Sequence, residues 1–401
     1  MAELYSLPDG WEWKKLGKIA KLQNGFAFKS KLFVNDGLPI VRIKNIKNEK
    51  VLLDDVVYFN VEDYGKKLDS YQIKKNDILI AMSGATTGKI GLYDTEEISY
   101  LNQRVGLFRI ENSNLRSYLF YFLSTQIEKN LELSLGAAQP NLSTEQINNI
   151  ELPLPPLEEQ KRIVAKLDIL FAKIDKAIAL HQKNIDEADI FMASVLNDVF
   201  VELEEKYPFK KVSDGLKNIL TGTTPPTKEE KYYNEPSINW YSPSDFGKSK
   251  VLSLSKNMIN SIALTDKKAK IYEKNTLLLV AIGATVGKIG VIKEEASSNQ
   301  QITAMKFKDD IDVDFSYYWF YYIKQIIINT ASAATLPIIN QSAIKDLKFI
   351  IPPLQTQQKV VSYLDEISNK MEKIKNLQKK KMQSLKELKA SILDKAFKGE
   401  L

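Results

Sequence analysis

The sequence predicts an α+β protein built as an internal repeat: two globular domains joined by two long helices that form an antiparallel coiled coil, the copies related by a pseudo-twofold axis. Three observations predict it. The octapeptide GATTGKIG at Gly84 to Gly91 returns as GATVGKIG at Gly283 to Gly290, 199 residues on. In each copy, short β-rich runs broken by Gly, Asn and Asp lead into an aromatic stretch of helical character. Each copy then reaches a Pro-Pro pair followed by a long run without Gly or Pro, Leu157 to Lys206 in the first.

The repeat keeps its order throughout. WKKL at Trp13 to Leu16 answers FKKV at Phe209 to Val212, and KKNDILIAMS enters the first GAT loop as EKNTLLLVAI enters the second. Asn102-Gln103 answers Asn299-Gln300. PPLEEQKRIVAKLD from Pro155 answers PPLQTQQKVVSYLD from Pro352, and ASVLNDVF from Ala193 answers ASILDKAF from Ala390, both at a spacing of 197. Equal spacing over this last stretch admits no insertion, as expected of one rigid element. The globular parts agree only in patches, so the scaffold is kept while the surface has changed.

LPIVRI, DILIAM and VGLFRI read as strands and SYLFYFLSTQI as a helix; TLLLVAI, TAMKFK and SYYWFYYIKQII repeat that order. The Pro-Pro pairs stop what precedes them and can open a helix. The expected segments are a first globular domain over 1–153, a central helix over 154–206, a second globular domain over 207–351 and a C-terminal helix over 352–401.

In the first long helix, Ile163, Leu167, Leu170, Ile174 and Ala177 follow a 4-3-4-3 rhythm, a heptad seam. The rhythm restarts at Ile185, Ala188, Met192, Val195 and Val199, and the step through His181 is a stutter that locally unwinds a supercoil. The second helix gives Val360, Leu364, Ile367, Met371 and Ile374, then Leu385, Leu388 and Ile392. Residues 157–206 hold 7 Lys/Arg against 11 Asp/Glu, and residues 354–401 hold 11 against 6. Opposite charge favours pairing of the two helices with each other. His181 and Gln378 sit near the two midpoints, so an antiparallel pair is expected to bring them into a central polar layer flanked by Ile174, Ile185, Ile374 and Leu385. Such a layer fixes register, because a slip would bury each group unpaired.

The 401 residues carry a net charge of +6, 44% hydrophobic and 26% charged side chains and no Cys. This is the composition of a globular protein with a lean toward anionic partners. No apolar run of membrane-spanning length and no signal-peptide core is present in the sequence, so a cytoplasmic location without membrane contact is expected. Without Cys, disulfides and thiolate metal sites are excluded. GATTGK and GATVGK are not phosphate loops, since a Walker A motif needs four residues between its glycines and a Ser or Thr after the Lys. The one histidine, His181, lies on the helical seam, which leaves no material for a triad or a zinc site. Asp54-Asp55 and Asp309-Asp310 read as solvated turns. The expectation is no catalytic residue, no metal and no cofactor in this chain.

At PPLEEQKRIVAKLD, PPLQTQQKVVSYLD and the closing ASILDKAFKGEL, the chain resembles the specificity subunit of type I restriction–modification systems, over essentially its whole length. The resemblance implies two target-recognition domains reading a bipartite, asymmetric double-stranded DNA target, held apart by antiparallel helices. It implies two docked methyltransferase subunits and added restriction/translocase subunits, with S-adenosylmethionine, ATP and magnesium on those partners only. The second copy departs from the pattern in carrying TLPIINQS where the first has AQPNLSTEQ. Two other readings stand beside it: the recognition subunit of a related system with a fused methylase-nuclease partner, and a coiled-coil adaptor that binds no DNA.

The physics suits a reader of two half-sites. A helix of about 45 residues spans roughly 70 Å at 1.5 Å per residue, long enough to hold two domains beside half-sites roughly 34 Å apart. Phosphate contacts set register while base edges carry information. The candidate DNA contacts in the first copy are Arg42, Lys44, Asn45, Ser83, Thr86, Lys89, Gln103 and Arg104. In the second they are Ser242, Ser244, Lys248, Thr285, Lys288, Gln300 and Gln301. The aromatic clusters at Tyr118 to Phe122 and Tyr317 to Tyr322 have helical spacing and are expected to pack in cores rather than stack on bases.

Overall fold

The computed structural model describes residues 5–64, 66–134, 140–247, 249–331 and 336–401. The chain forms two compact units, Met1–His181 with Lys380–Leu401 and Gln182–Lys379. The cut between units thus passes through both long helices, Leu157–Lys206 and Leu354–Lys398, which join the two α+β domains. Each globular part takes its own stretch of both helices into its core.

In unit 1 the largest sheet runs Leu22–Asn24, Val105–Phe108, Ile78–Ala81, Ile90–Leu92, Glu49–Val51 and Ile46–Lys47. Its central strand, Ile78–Ala81, is buried at every position, so it reads as a continuous apolar run rather than an alternating one. A smaller sheet runs Val57–Phe59, Leu38–Val41, Ser99–Leu101 and Gln72–Ile73. In unit 2, Leu216–Thr221, Ile302–Phe307, Thr276–Val280 and Ile289–Ile292 repeat the first four strands of the larger sheet in the same order. Asn257–Ile259, Ile238–Tyr241 and Ser297–Ser298 repeat three strands of the smaller. Ile80 pairs with Gly106 as Leu279 pairs with Thr303. The change in spacing from 199 to 197 therefore leaves the core register intact.

The short matches between copies now have reasons. WKKL and FKKV supply strands Glu12–Lys15 and Phe209–Lys211, which pair antiparallel with Glu151–Leu154 and Lys348–Ile350 just ahead of the Pro-Pro pairs. In PPLxxQ the glutamine folds back: Gln160 and Gln357 donate Nε2 to the Pro155 and Pro352 carbonyls, each at 2.8 Å. Gln357, fully buried, also donates to Asp310 O and accepts from Asp312 N.

The aromatic helices are core elements, as expected. Ser113–Thr125 starts on Asn112, whose side chain accepts from Leu115 N, and buries Tyr118, Leu119, Phe122 and Leu123. The Tyr118 and Phe122 rings meet Phe397 edge-on at centroid distances of 5.2 and 5.4 Å. In unit 2, Val313–Tyr322 starts on Asp312, and its Phe315 and Trp319 meet Phe200 at 5.7 and 5.4 Å. Phe200 and Phe397 are the closing residues of ASVLNDVF and ASILDKAF, each lodged in the core of the unit that its helix end reaches. Burying one such ring stabilises by about 1.5–3 kcal/mol.

Within each unit the long helices run antiparallel. In unit 1, Arg162 donates to Leu401 O at 2.9 Å while Lys389 pairs with Asp175 at 3.3 Å. In unit 2, Lys375 pairs with Asp189 at 2.9 Å, and Val195 and Leu203 share a core with Leu364. These pairs carry the charge complementarity read from the sequence. The apolar seam of the first helix is buried at Ile163, Leu167, Ile174, Ile185, Ala188 and Val195. The second helix corrects the expectation: Ile374 and Leu388 are 40% and 48% exposed. Lys375 and Lys389 take the inward places instead, their side chains only 12% and 22% exposed, because each has a carboxylate on the facing helix. His181 closes the first part of unit 1 and Gln378 belongs to unit 2, each half-buried.

Candidate nucleic-acid interface

Most of the candidate residues gather on two equivalent sets of three turns, one set in each unit. In unit 1 the first turn follows strand Leu38–Val41. Arg42 precedes one turn of 3₁₀ helix, Ile43–Asn45, and its N–H donates to Asn45 Oδ1 at 2.9 Å. Asn45 is 1% exposed and spends both amide hydrogens on Leu52 O and Asp55 O. This corrects one expectation: Asn45 holds the turn and has no donor left for a base edge.

The second turn is the GAT loop between Ile78–Ala81 and Ile90–Leu92, which bears out the reading of a tight turn after a buried strand. Gly84 and Gly88 have φ of +77° and +83°, as Gly283 and Gly287 have +105° and +87°. Side chains rarely adopt this region, which is why the two glycines recur with three residues between them. Gly84 N donates to Pro140 O and Thr87 Oγ1 donates to Gly84 O. The loop packs on the first turn, so that a Cβ at Gly84 would stand 3.3 Å from Ile43 Cδ1.

The third turn, Asn102 to Arg104, ties the other two together. Asn102 N donates to Val41 O at 3.2 Å, beside Arg42, and Met82 N donates to Arg104 O at 2.9 Å, beside Ser83. Gly25 lies against this turn so closely that a Cβ there would come within 2.1 Å of Asn102 O.

Unit 2 reproduces these bonds. Asn299 N donates to Tyr241 O, Ala281 N to Gln301 O and Gly283 N to Pro337 O, and Ser242 N donates to Asp245 as Arg42 N does to Asn45. Gly222 repeats Gly25, since a Cβ there would meet Asn299 O at 2.2 Å. The segment TLPIINQS, which departs in sequence, nonetheless keeps the proline carbonyl and the following helix start, where Asn340 caps as Ser143 does. Gly25, Gly222, Pro140 and Pro337 were not among the expected site residues. Their signal was the same 197 spacing that marks the helices.

The two sets differ in what they display. In unit 1, Lys89, Gln103 and Arg104 are exposed, and Arg42, Lys44, Ser83 and Thr86 are half-buried. Arg42 Nε, Ser83 Oγ and Thr86 Oγ1 are buried without a hydrogen-bond partner among the described residues. Lys44 pairs with Asp55 at 2.6 Å. The Asp55 carboxyl is held below its usual value by the Lys44 hydrogen bond and charge first, with Arg42 and Lys47 adding to it. In unit 2 the polar groups are bonded to one another: Ser242 Oγ to Ser244 and Asp245, Thr224 to Gln300, and Asn299 to Gln301. Lys288, half-buried, reaches Phe246 O at 3.2 Å, and Thr285 is half-buried on the GAT loop. Lys248 lies outside the described residues. Among the described residues no three His, Cys, Asp or Glu side chains are grouped to hold a metal ion, and no helix is long and apolar enough to cross a membrane.

Comparison with known proteins agrees with this arrangement. The specificity subunit of the type I restriction enzyme EcoBI from Escherichia coli is 25% identical over 99% of this chain and 88% of its own. That of MjaVIII from Methanocaldococcus jannaschii is 32% identical, over about half of each chain: 49% of this one and 47% of that one. A solved chain from work on the complex assembly and conformational transition of the type I R-M system shares the fold. Its TM-score is 0.73 at 21% identity, with 99% of this chain and 100% of that chain covered. Residues 8–188 and 205–382 each match the type I restriction modification DNA specificity domain. One match falls on each set of turns, and the chain belongs to the type I restriction modification DNA specificity family.

Proposed function

We propose that each unit reads one half of a bipartite, asymmetric DNA target, and that the chain scaffolds two methyltransferase subunits and the restriction/translocase subunits of a type I restriction–modification complex. One observation carries this reading: the same three-turn scaffold occurs twice and presents different side chains. Arg42 stands where unit 2 has Ser242, and Arg104 where it has Gln301. Like scaffolds with unlike surfaces suit a target whose halves differ in sequence, since base edges in the major groove are told apart by their donors and acceptors. The proposed contacts are Arg42, Lys44, Ser83, Thr86, Lys89, Gln103 and Arg104 in unit 1, with Ser242, Ser244, Thr285, Lys288, Gln300 and Gln301 in unit 2. The chain itself performs no chemistry in this reading; S-adenosylmethionine, ATP and magnesium belong to the cytoplasmic partner subunits.

Exchange of residues 1–150 for the matching segment of a relative tests it. Methylation mapping of cells carrying the exchanged complex is expected to show one half of the target changed and the other kept. A change in both halves together, or methyl transfer by the isolated chain, would overturn the reading. An adaptor that binds no DNA would give no mobility shift of target DNA even with methyltransferase subunits present.

A further inference from the structure

The two sets of turns can be compared position by position, and the comparison separates two kinds of residue. Thr86, Lys89 and Gln103 have the same residue types at their counterparts Thr285, Lys288 and Gln300. Arg42 and Arg104 do not, being matched by Ser242 and Gln301. Phosphate is the same in both halves of any target, whereas bases differ. Retained side chains therefore suit backbone contacts, and replaced ones suit base edges.

The backbones of both replaced arginines are tied down, but Arg42 is the one whose side chain the fold partly encloses. Its backbone is pinned by Asn45 in both directions, with Arg42 N donating to Asn45 Oδ1 at 2.9 Å and Asn45 N donating to Arg42 O at 2.8 Å. Its Nε is buried and unbonded among the described residues. The neighbouring carboxylate, Asp55, is occupied by Lys44 at 2.6 Å. The Ser83 and Thr86 hydroxyls, also buried and without partners among the described residues, lie on the adjoining turn. Arg104, by contrast, is exposed.

We propose that Arg42 is a specificity-determining residue that reads a guanine in the first half of the target, and that Ser242, whose hydroxyl donates to Asp245, offers no such two-bond contact in the second half. An arginine side chain offers donors only. Guanine is the one base whose major-groove edge presents two acceptors, N7 and O6, which a guanidinium meets with two parallel bonds. The inference rests on the DNA-reading function above.

Methylation mapping of the complex of the full chain with its methyltransferase subunits tests it, comparing wild type with Arg42→Gln, Arg42→Lys and Lys89→Gln. Wild type is expected to require a guanine in the first half. Arg42→Gln should lower methylation of guanine-bearing targets roughly 10- to 100-fold and relax or shift that single position, with the second half still read. Lys89→Gln should weaken all targets alike and reduce the salt dependence of binding. An unchanged motif with Arg42→Gln, or uniform weakening at every target, overturns the proposal. If Arg42→Gln abolishes methylation altogether, Arg42→Lys decides: recovery with the wild-type motif makes Arg42 a charge only and overturns it, while recovery with a relaxed position supports it. A wild-type complex without any bipartite motif would fail the underlying reading, an outcome distinct from a bipartite motif that Arg42 does not affect.

Discussion

Tyr318 donates its hydroxyl to Asp365 at 2.5 Å, fastening the aromatic helix of unit 2 to the long helix that follows it. Tyr121 donates to Asp168 in the same way 197 residues earlier. Asp365 also receives Lys250 at 2.5 Å, so one carboxylate gathers three segments of unit 2. The aspartates of AKLD and SYLD are thus fasteners between domain and helix.

Burial first, and then the bond to Asp365, push the Tyr318 phenol well above its usual value. A raised folded-state value means this contribution is fully present below the unfolded tyrosine value of about 10 and is lost as pH rises beyond it. Urea unfolding of unit 2 should therefore show stability that falls above about pH 10. Tyr318→Phe should make that fall shallower while costing roughly 1 kcal/mol at neutral pH. An equally steep alkaline fall in the variant would mean that Tyr318 is not its source.

Lys375 occupies an inward place on the second long helix. Burial alone draws its ammonium down, but Asp189 and Glu372 outweigh that and hold it above the usual lysine value. Its contribution is present below the unfolded lysine value of about 10.4 and disappears as pH rises through the folded one. Removing the Asp189 carboxylate should hurt more than removing the cation, because a mostly buried ammonium is left with Glu372 alone, whereas the half-exposed Asp189 is solvated without its partner. Chemical denaturation should rank Asp189→Asn as more destabilising than Lys375→Met, and the reverse order would refute the inward pairing.

A side chain at position 88 has two problems. The backbone φ is +83°, and a Cβ would stand 2.9 Å from Ile127 O, a backbone atom that cannot swing aside. Gly88→Ala is expected to destabilise unit 1 by about 1–3 kcal/mol and to weaken DNA binding by disturbing the turn that carries Thr86 and Lys89. Gly247, where a Cβ would meet nothing within 4 Å among the described residues, is the control, and Gly247→Ala should leave melting unchanged. Equal melting temperatures for the two variants would argue against backbone strain at the GAT loop.

Gln357 makes three hydrogen bonds from a fully buried position, to Pro352 O, Asp310 O and Asp312 N. Gln357→Leu fills similar space without bonding, so it leaves those backbone groups unsatisfied. About 1–3 kcal/mol of stability should be lost for such groups. Calorimetry showing no change in unfolding temperature would exclude a capping role for the glutamine of PPLxxQ.

The repeat, the strand runs, the aromatic core helices and the charge complementarity of the long helices were all legible in the amino-acid order. Each depends on local periodicity or on two segments carrying the same pattern. The sequence by itself determined that the fold occurs twice, because equal spacings at 197 survive only where no residue can be inserted. It also determined that the GAT loops are turns, since two glycines and the wrong count between them leave no phosphate loop. Tertiary structure alone decided which face of the second helix turns inward. Ile374 and Leu388 look like seam residues, but Asp189 and Asp175 draw Lys375 and Lys389 in, and a carboxylate 186 or 214 residues away does not show in a heptad count. It likewise decided that Asn45 is a fastener while Arg42, three residues earlier, keeps its Nε unbonded among the described residues. Both are polar residues after a strand, and only the carbonyls of Leu52 and Asp55 closing over Asn45 tell them apart.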